Sequence, residues 1–145
     1  MGGIQTIAAA ALDPQVTLAV VGVPAFCHFQ SFKVGRDYGP VCYRSPEGLE
    51  RLKSNEKIKS MVAYHDAVNF APMIKCDIYV CTGFTDELCS PSNVYAFYNN
   101  LTAARSRTMT TNPRTGHYGT TANVKGRKRL EELFRSIQVN QHPNH

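Results

Sequence analysis

Val16 to Val23, inside the stretch VTLAVVGVP, is a continuous apolar run but for Thr17, rich in β-branched side chains. A strand with one wet face alternates apolar and polar residues. A run apolar on both faces fits a strand buried on both sides, the usual state of a parallel strand covered by helices. Ahead of it, Ile4, Ile7, Ala8 and Ala11 recur at helical spacing until Asp13-Pro14 stops them. Beyond it, the pattern is lost from Cys27 to about Glu47, which reads as loops and short turns. SPEGLERLKSNEKIKSMVAYHDAVNFAP is then mostly helical and split near Ser54-Asn55, with Ser45 as cap and Pro46 in the first turn. CDIYVCTGF is a second strand. SPSNVYAFYNNL is a helix capped by Ser90, with the stripe Val94, Phe97, Tyr98 and Leu101. SRTMTTNP is a third, less apolar strand nearer an edge. A last helix reaching about Gln138 carries the stripe Leu130, Leu133, Phe134 and Ile137.

Strands alternating with helices imply an α/β fold, here three parallel strands flanked by helices. The expected layout is one domain over 1–138 and a frayed polar tail over 139–145. Three strands are few. An apolar first strand left at an open edge is an aggregation liability, so the organisation resembles the second half of a larger doubly wound domain.

Charge and cysteine content narrow the function. The net charge of +5 is modest and gathers in Lys125, Arg127, Lys128, Arg129 and Arg135. Glu131 and Glu132 interrupt that run, and Glu131 is placed to pair with Arg135, as on the solvated face of an amphipathic helix. Aromatic stacking platforms are missing from it, so no nucleic-acid partner is expected. Five cysteines, Cys27, Cys42, Cys76, Cys81 and Cys89, include no C-x-x-C pair. A zinc set of Cys76, Cys81 and Cys89 is disfavoured, because cysteines in or beside an apolar strand act as small hydrophobes. No metal and no disulfide framework are expected. No run approaches the roughly 20 residues that cross a bilayer, and Ile7 to Leu12 lacks the basic region of a leader. A cytoplasmic location is the simplest expectation, although a start lying upstream would leave location unknown.

Two loops carry chemistry. TGFTDELCSPS follows the second strand and holds Asp86; TNPRTGHYGT follows the third and holds His117. Carboxyl ends of strands are where open α/β sheets bind ligands. An Asp and a His on neighbouring strand ends are the base half of a nucleophilic triad. Their order, Asp before His, is that of the α/β-hydrolases, in which a Ser on a G-x-S-x-G turn comes first.

The opening MGGIQTIAAAALD resembles the end of such an elbow and the helix behind it. Further stretches, AAALDPQVTLAVVGVP, DAVNFAPMIKCDIYVCTGFTDELCSPSNVYAFYN and the GH pair, resemble the acetyl xylan esterase and cephalosporin C deacetylase family. Asp66, Asn69, Phe70 and Ala71 match that family's segment before a strand. Asp86 matches its acid, Cys89 to Ser92 its C-P-P-S loop with one proline replaced by Ser90, and His117 its histidine. The likeness runs from residue 1 to about 136, weakest over Cys27 to Lys59. It implies the C-terminal half of an α/β-hydrolase fold and hydrolysis of short acyl esters, mainly acetyl groups on carbohydrates or small alcohols. His117 would be the base, Asp86 its orienting acid and the Met1 N–H an oxyanion-hole donor. No cofactor is implied, and intact members are often homo-oligomers.

In that alignment the nucleophile falls one residue before Met1. Cys27, Ser31 and Ser45 do not stand on an elbow. The polypeptide taken alone is therefore expected to be inactive. Two accounts remain open: part of an esterase in a truncated reading frame, or a non-catalytic module that docks on a chain supplying the missing half, with Val16 to Val23 as its docking edge.

Overall fold

The computed structural model describes residues 2–35, 45–118 and 124–141. Its elements follow as α1 (Gly2–Leu12), β1 (Leu18–Gly22), α2 (Pro46–Ser54), α3 (Glu56–Ala63), α4 (Ala67–Phe70), β2 (Asp77–Gly83), α5 (Pro91–Asn99), β3 (Ser106–Asn112) and α6 (Val124–Gln141). Short 3-10 turns occupy Ser31–Val34 and Ala71–Met73. The strands form one parallel sheet in the order β1-β2-β3, with Val20 opposite Tyr79 and Tyr79 opposite Thr108.

Local chemistry accounts for the helix boundaries. Ser45 Oγ accepts from Gly48 N at 3.0 Å, and Pro46 starts α2 behind it. Asn55 ends α2 and begins α3 in extended conformation, its Oδ1 accepting from Ile58 N at 3.1 Å. Ser90 departs from expectation: its hydroxyl makes no cap bond and instead meets Ser92 Oγ at 2.8 Å. The Ser90 carbonyl accepts from Asn93 N and Val94 N in its place.

The main core forms where apolar side chains of β1 and β2 meet α1, α4 and α5. Ile7, Val21, Ile78, Val80, Val94 and Phe97 are completely buried there. A smaller cluster of Phe29, Leu52 and Val62 fixes α2 and α3 against the segment that follows β1. α1 lies so near the end of β1 that a Cβ on Gly3 would stand 2.8 Å from Pro24 Cα. Any larger residue there would lift the helix off the strand.

The last helix differs from the sequence reading in three ways. It runs to Gln141, three residues into the segment assigned to a frayed tail, and no proline intervenes before Pro143. Leu130 and Leu133 are half-buried, but Phe134 of the same stripe is 63% exposed. The ion pair formed on α6 among the described residues is Arg129–Glu132 at 3.4 Å rather than Glu131–Arg135, both spacings being neighbours on a helix. No described helix is long and apolar enough to cross a membrane.

Candidate active site

Because the sheet is parallel, the loops after β1, β2 and β3 open at one edge. Two of them are joined along their backbones. Phe84 N donates to Asn112 O at 3.0 Å and Thr85 N to Thr115 O at 3.2 Å. The approach requires glycine at 83, where a Cβ would stand 2.1 Å from Thr115 O.

That junction brings Asp86 and His117 together across 31 residues of sequence, with His117 Nδ1 3.0 Å from Asp86 Oδ2. A carboxylate only accepts, so Nδ1 carries the proton between them. The other oxygen, Oδ1, accepts from Leu88 N at 2.8 Å and Cys89 N at 2.7 Å. Both carboxylate oxygens are thus held. The Asp86 side chain is inaccessible to solvent, whereas that of His117 is 25% exposed. A buried, doubly anchored acid and an accessible imidazole suit an orienting group and a proton carrier. Tyr118, 92% exposed, sets its ring edge-on to the His117 ring at 5.1 Å between centroids.

The loop after β1 is braced from another direction. Asp66 accepts from His28 N at 2.8 Å, Phe29 N at 2.7 Å and Val68 N at 3.0 Å. Ala67 N donates to Phe26 O at 2.9 Å. Val23, Phe26 and His28 in this loop have φ of 37°, 57° and 58°, a region L-residues avoid. Backbone held in such a shape needs surroundings that dictate it, and Asp66 supplies two of the bonds that do so, to His28 N and Phe29 N, while its bond to Val68 N caps α4. The match of Asp66 to a family segment picked out this residue without revealing its work.

Cys27, Cys76, Cys81 and Cys89 are buried and outside any disulfide. Burial, aided by the nearby Asp66 carboxylate, pushes the Cys27 thiol well above its ordinary pKa, and burial also raises Cys76 and Cys81. These behave as small hydrophobes. Cys76, Cys81 and Cys89 do not converge. The group among the described residues whose donor atoms do converge is Asp86, Cys89 and His117. Met1, the expected oxyanion-hole donor, lies outside the described residues. A hollow lined by Asp13, Lys75 and Arg105 sits at the opposite, amino end of the sheet, where Arg105 is occupied by Asp77.

With this geometry in hand, the known relatives are informative. The family model for acetyl xylan esterase (AXE1) matches residues 1–130. This chain belongs to the acetyl xylan esterase family. Acetyl esterase Axe7A of Xylanibacter ruminicola is 34% identical over 109 residues, which make up 75% of this chain and 24% of that protein. Among solved structures, the acetyl xylan esterase from Paenibacillus sp. R4 superposes with a TM-score of 0.68 at 26% identity, covering 95% of this chain and 42% of that one. Acetyl xylan esterase 1 from Thermoanaerobacterium sp. JW/SL YS485 gives a TM-score of 0.68 at 25% identity, covering 92% and 41%. The fold is accordingly that of the α/β-hydrolases, represented here by three parallel strands. The chain spans under half the length of these family members.

Proposed function

We propose that this chain carries the acid–base half of a carboxylic-ester hydrolase that removes acetyl groups from carbohydrates or small alcohols. The observation that carries the reading is the 3.0 Å contact between His117 Nδ1 and Asp86 Oδ2 at the carboxyl edge of the sheet. Family membership supports the reaction class, and the relatives named acetyl xylan esterase support the acetyl group and the carbohydrate.

With Nδ1–H directed at Asp86, Nε2 is the nitrogen that takes the proton of an attacking hydroxyl. That oxygen bonds to the ester carbonyl carbon, and His117 returns the proton to the departing alkoxide. Water then repeats the sequence on the acyl-enzyme and releases acetate. Asp86 holds the tautomer and stabilises the imidazolium without itself taking the proton. The backbone N–H of Met1 is assigned to the oxyanion hole, one position after the nucleophile. Residues 1–145 contain no G-x-S-x-G turn, so the hydroxyl is assigned to a segment outside them.

The test compares two polypeptides on an activated acetyl ester. One is residues 1–145 alone. The other places the nucleophile-bearing segment of the Paenibacillus esterase ahead of Gly2. The fusion is expected to turn over and the chain alone to fall short by a factor on the order of 10⁶. In the fusion, Asp86→Asn lowers kcat by about 10⁴, the cost of a wrong tautomer. A folded fusion whose turnover survives His117→Ala would defeat the proposal. The open edge of β1 favours a second reading, a non-catalytic module docked on another chain, which predicts that same indifference to His117.

A further inference from the structure

One group at this edge serves no step of ester hydrolysis, the thiol of Cys89. Asp86 Oδ1 accepts from Leu88 N and Cys89 N, so the turn closes on its own carboxylate and carries Cys89 back beside it. His117 arrives from the other loop. A carboxylate oxygen of Asp86, Cys89 Sγ and a ring nitrogen of His117 all lie within 4.8 Å of one another. We propose that Asp86, Cys89 and His117 form a three-ligand site for zinc or a chemically similar divalent ion, competing with the hydrogen bond between Asp86 and His117.

The donor set argues for the class of ion. Thiolate and imidazole select zinc-like metals over magnesium and calcium, which prefer oxygen alone. Bonds of roughly 2.0–2.3 Å to O, N and S set donors about 3.3–3.6 Å apart at a tetrahedral centre. Asp86 Oδ2 and His117 Nδ1, 3.0 Å apart, need only open slightly, and the sulfur needs to close by about 1 Å at most. Three protein ligands leave the fourth position to water. One carboxylate and one thiolate neutralise the ion's charge.

The consequence for turnover rests on the hydrolase reading; the binding does not. Once Nδ1 bonds to metal, the ring keeps its proton on Nε2, the atom that must be bare to act as base. The site therefore behaves as a reversible off-switch.

Cobalt(II) serves as the coloured probe for the purified 145-residue chain, titrated without any ester. The expected result is one ion per chain with a thiolate-to-metal charge-transfer band, displaced by added zinc. Cys89→Ser removes the band and weakens zinc binding by at least about tenfold, His117→Ala weakens binding but keeps the band, and Cys81→Ser changes neither. A band of undiminished strength in Cys89→Ser, or no cobalt uptake by the unsubstituted chain, overturns the assignment. Should Cys89→Ser fail to fold, alkylation of Cys89 in the unsubstituted chain decides: equimolar zinc slows it if the thiol is a ligand, and equal rates refute the site. These readouts involve no turnover, so they stand whether or not the ester chemistry does.

Discussion

At the scale of single residues, Gly83 and Asp66 set the shape of the site in different ways, and substitutions separate them. Alanine at 83 would drive a methyl group into the Thr115 carbonyl, 2.1 Å from the ideal Cβ, and the obstacle is backbone rather than a side chain able to swing aside. Gly83→Ala is expected to cost about 1–3 kcal/mol, the usual penalty for overpacking. It also moves the two loops apart, so the His117 ring resonances should lose the signature of a bond to Asp86. Urea unfolding and histidine NMR measure the two effects. Asp66→Ala acts elsewhere. It strands the N–H groups of His28, Phe29 and Val68, and an unsatisfied buried donor costs about 1–3 kcal/mol. The loop after β1 should relax from its positive φ values while the His117 resonances stay put. A variant at 66 that altered His117 as strongly as Gly83→Ala would show that the loops are not independent.

At the scale of elements, the periodic segments were legible and the close approaches were not. The continuous run beginning at Val16, the Cys76 to Phe84 stretch and the first-turn Pro91 each announced an element through apolar pattern or proline placement, although the Ser90 hydroxyl does not cap. The Asp86–His117 pair was legible for a related reason: each residue follows a strand, and parallel strands deliver their ends to one edge. The contact between Gly83 and Thr115, the reach of Asp66 to residues 28 and 29, and the approach of Cys89 to His117 depend on atoms distant in sequence, which periodicity does not encode. The exposure of Phe134 in the α6 stripe has the complementary cause, since a pattern shows which face could be buried and not how much of it is.

The strands are also tied together at their amino ends. Arg105 bonds both oxygens of Asp77, at 2.9 and 2.6 Å, and the Thr17 carbonyl at 3.1 Å, while Ser106 Oγ donates to Asp77 at 2.7 Å. The Arg105 hydrogen bond is the main cause that lowers Asp77 from 3.8 to about 2. A carboxyl depressed in the folded state adds stability that is complete above its unfolded pKa and disappears as pH falls through the folded one. Arg105→Ala should therefore be less stable than the parent above about pH 4. That difference should shrink between pH 3.8 and about 2, as thermal unfolding at stepped pH would show.

For the molecule as a whole, the governing fact is that β1 is both apolar and at an edge. Thr17 O accepts from Asp77 N, and Val23 N donates to Cys81 O. Backbone groups alternate sides along a strand, so Ala19 and Val21 also face β2, whereas Val20 and Gly22 turn their N–H and C=O groups to the open side. Among the described residues nothing pairs with them. Natural edges are blunted by charge, proline or bulges, and Leu18–Gly22, LAVVG, has none of these. The 145-residue chain on its own is accordingly expected to self-associate through this edge, with a sedimentation profile that shifts to larger species as concentration rises. Proline at position 20 removes a donor that β2 does not use and blocks the open side. Val20→Pro should thus lower association while the sheet persists by circular dichroism. Lysine at the exposed Phe134 of α6 serves as the contrast: if Phe134→Lys disperses the oligomer and Val20→Pro does not, the sticky surface is α6 and the edge of β1 is already satisfied.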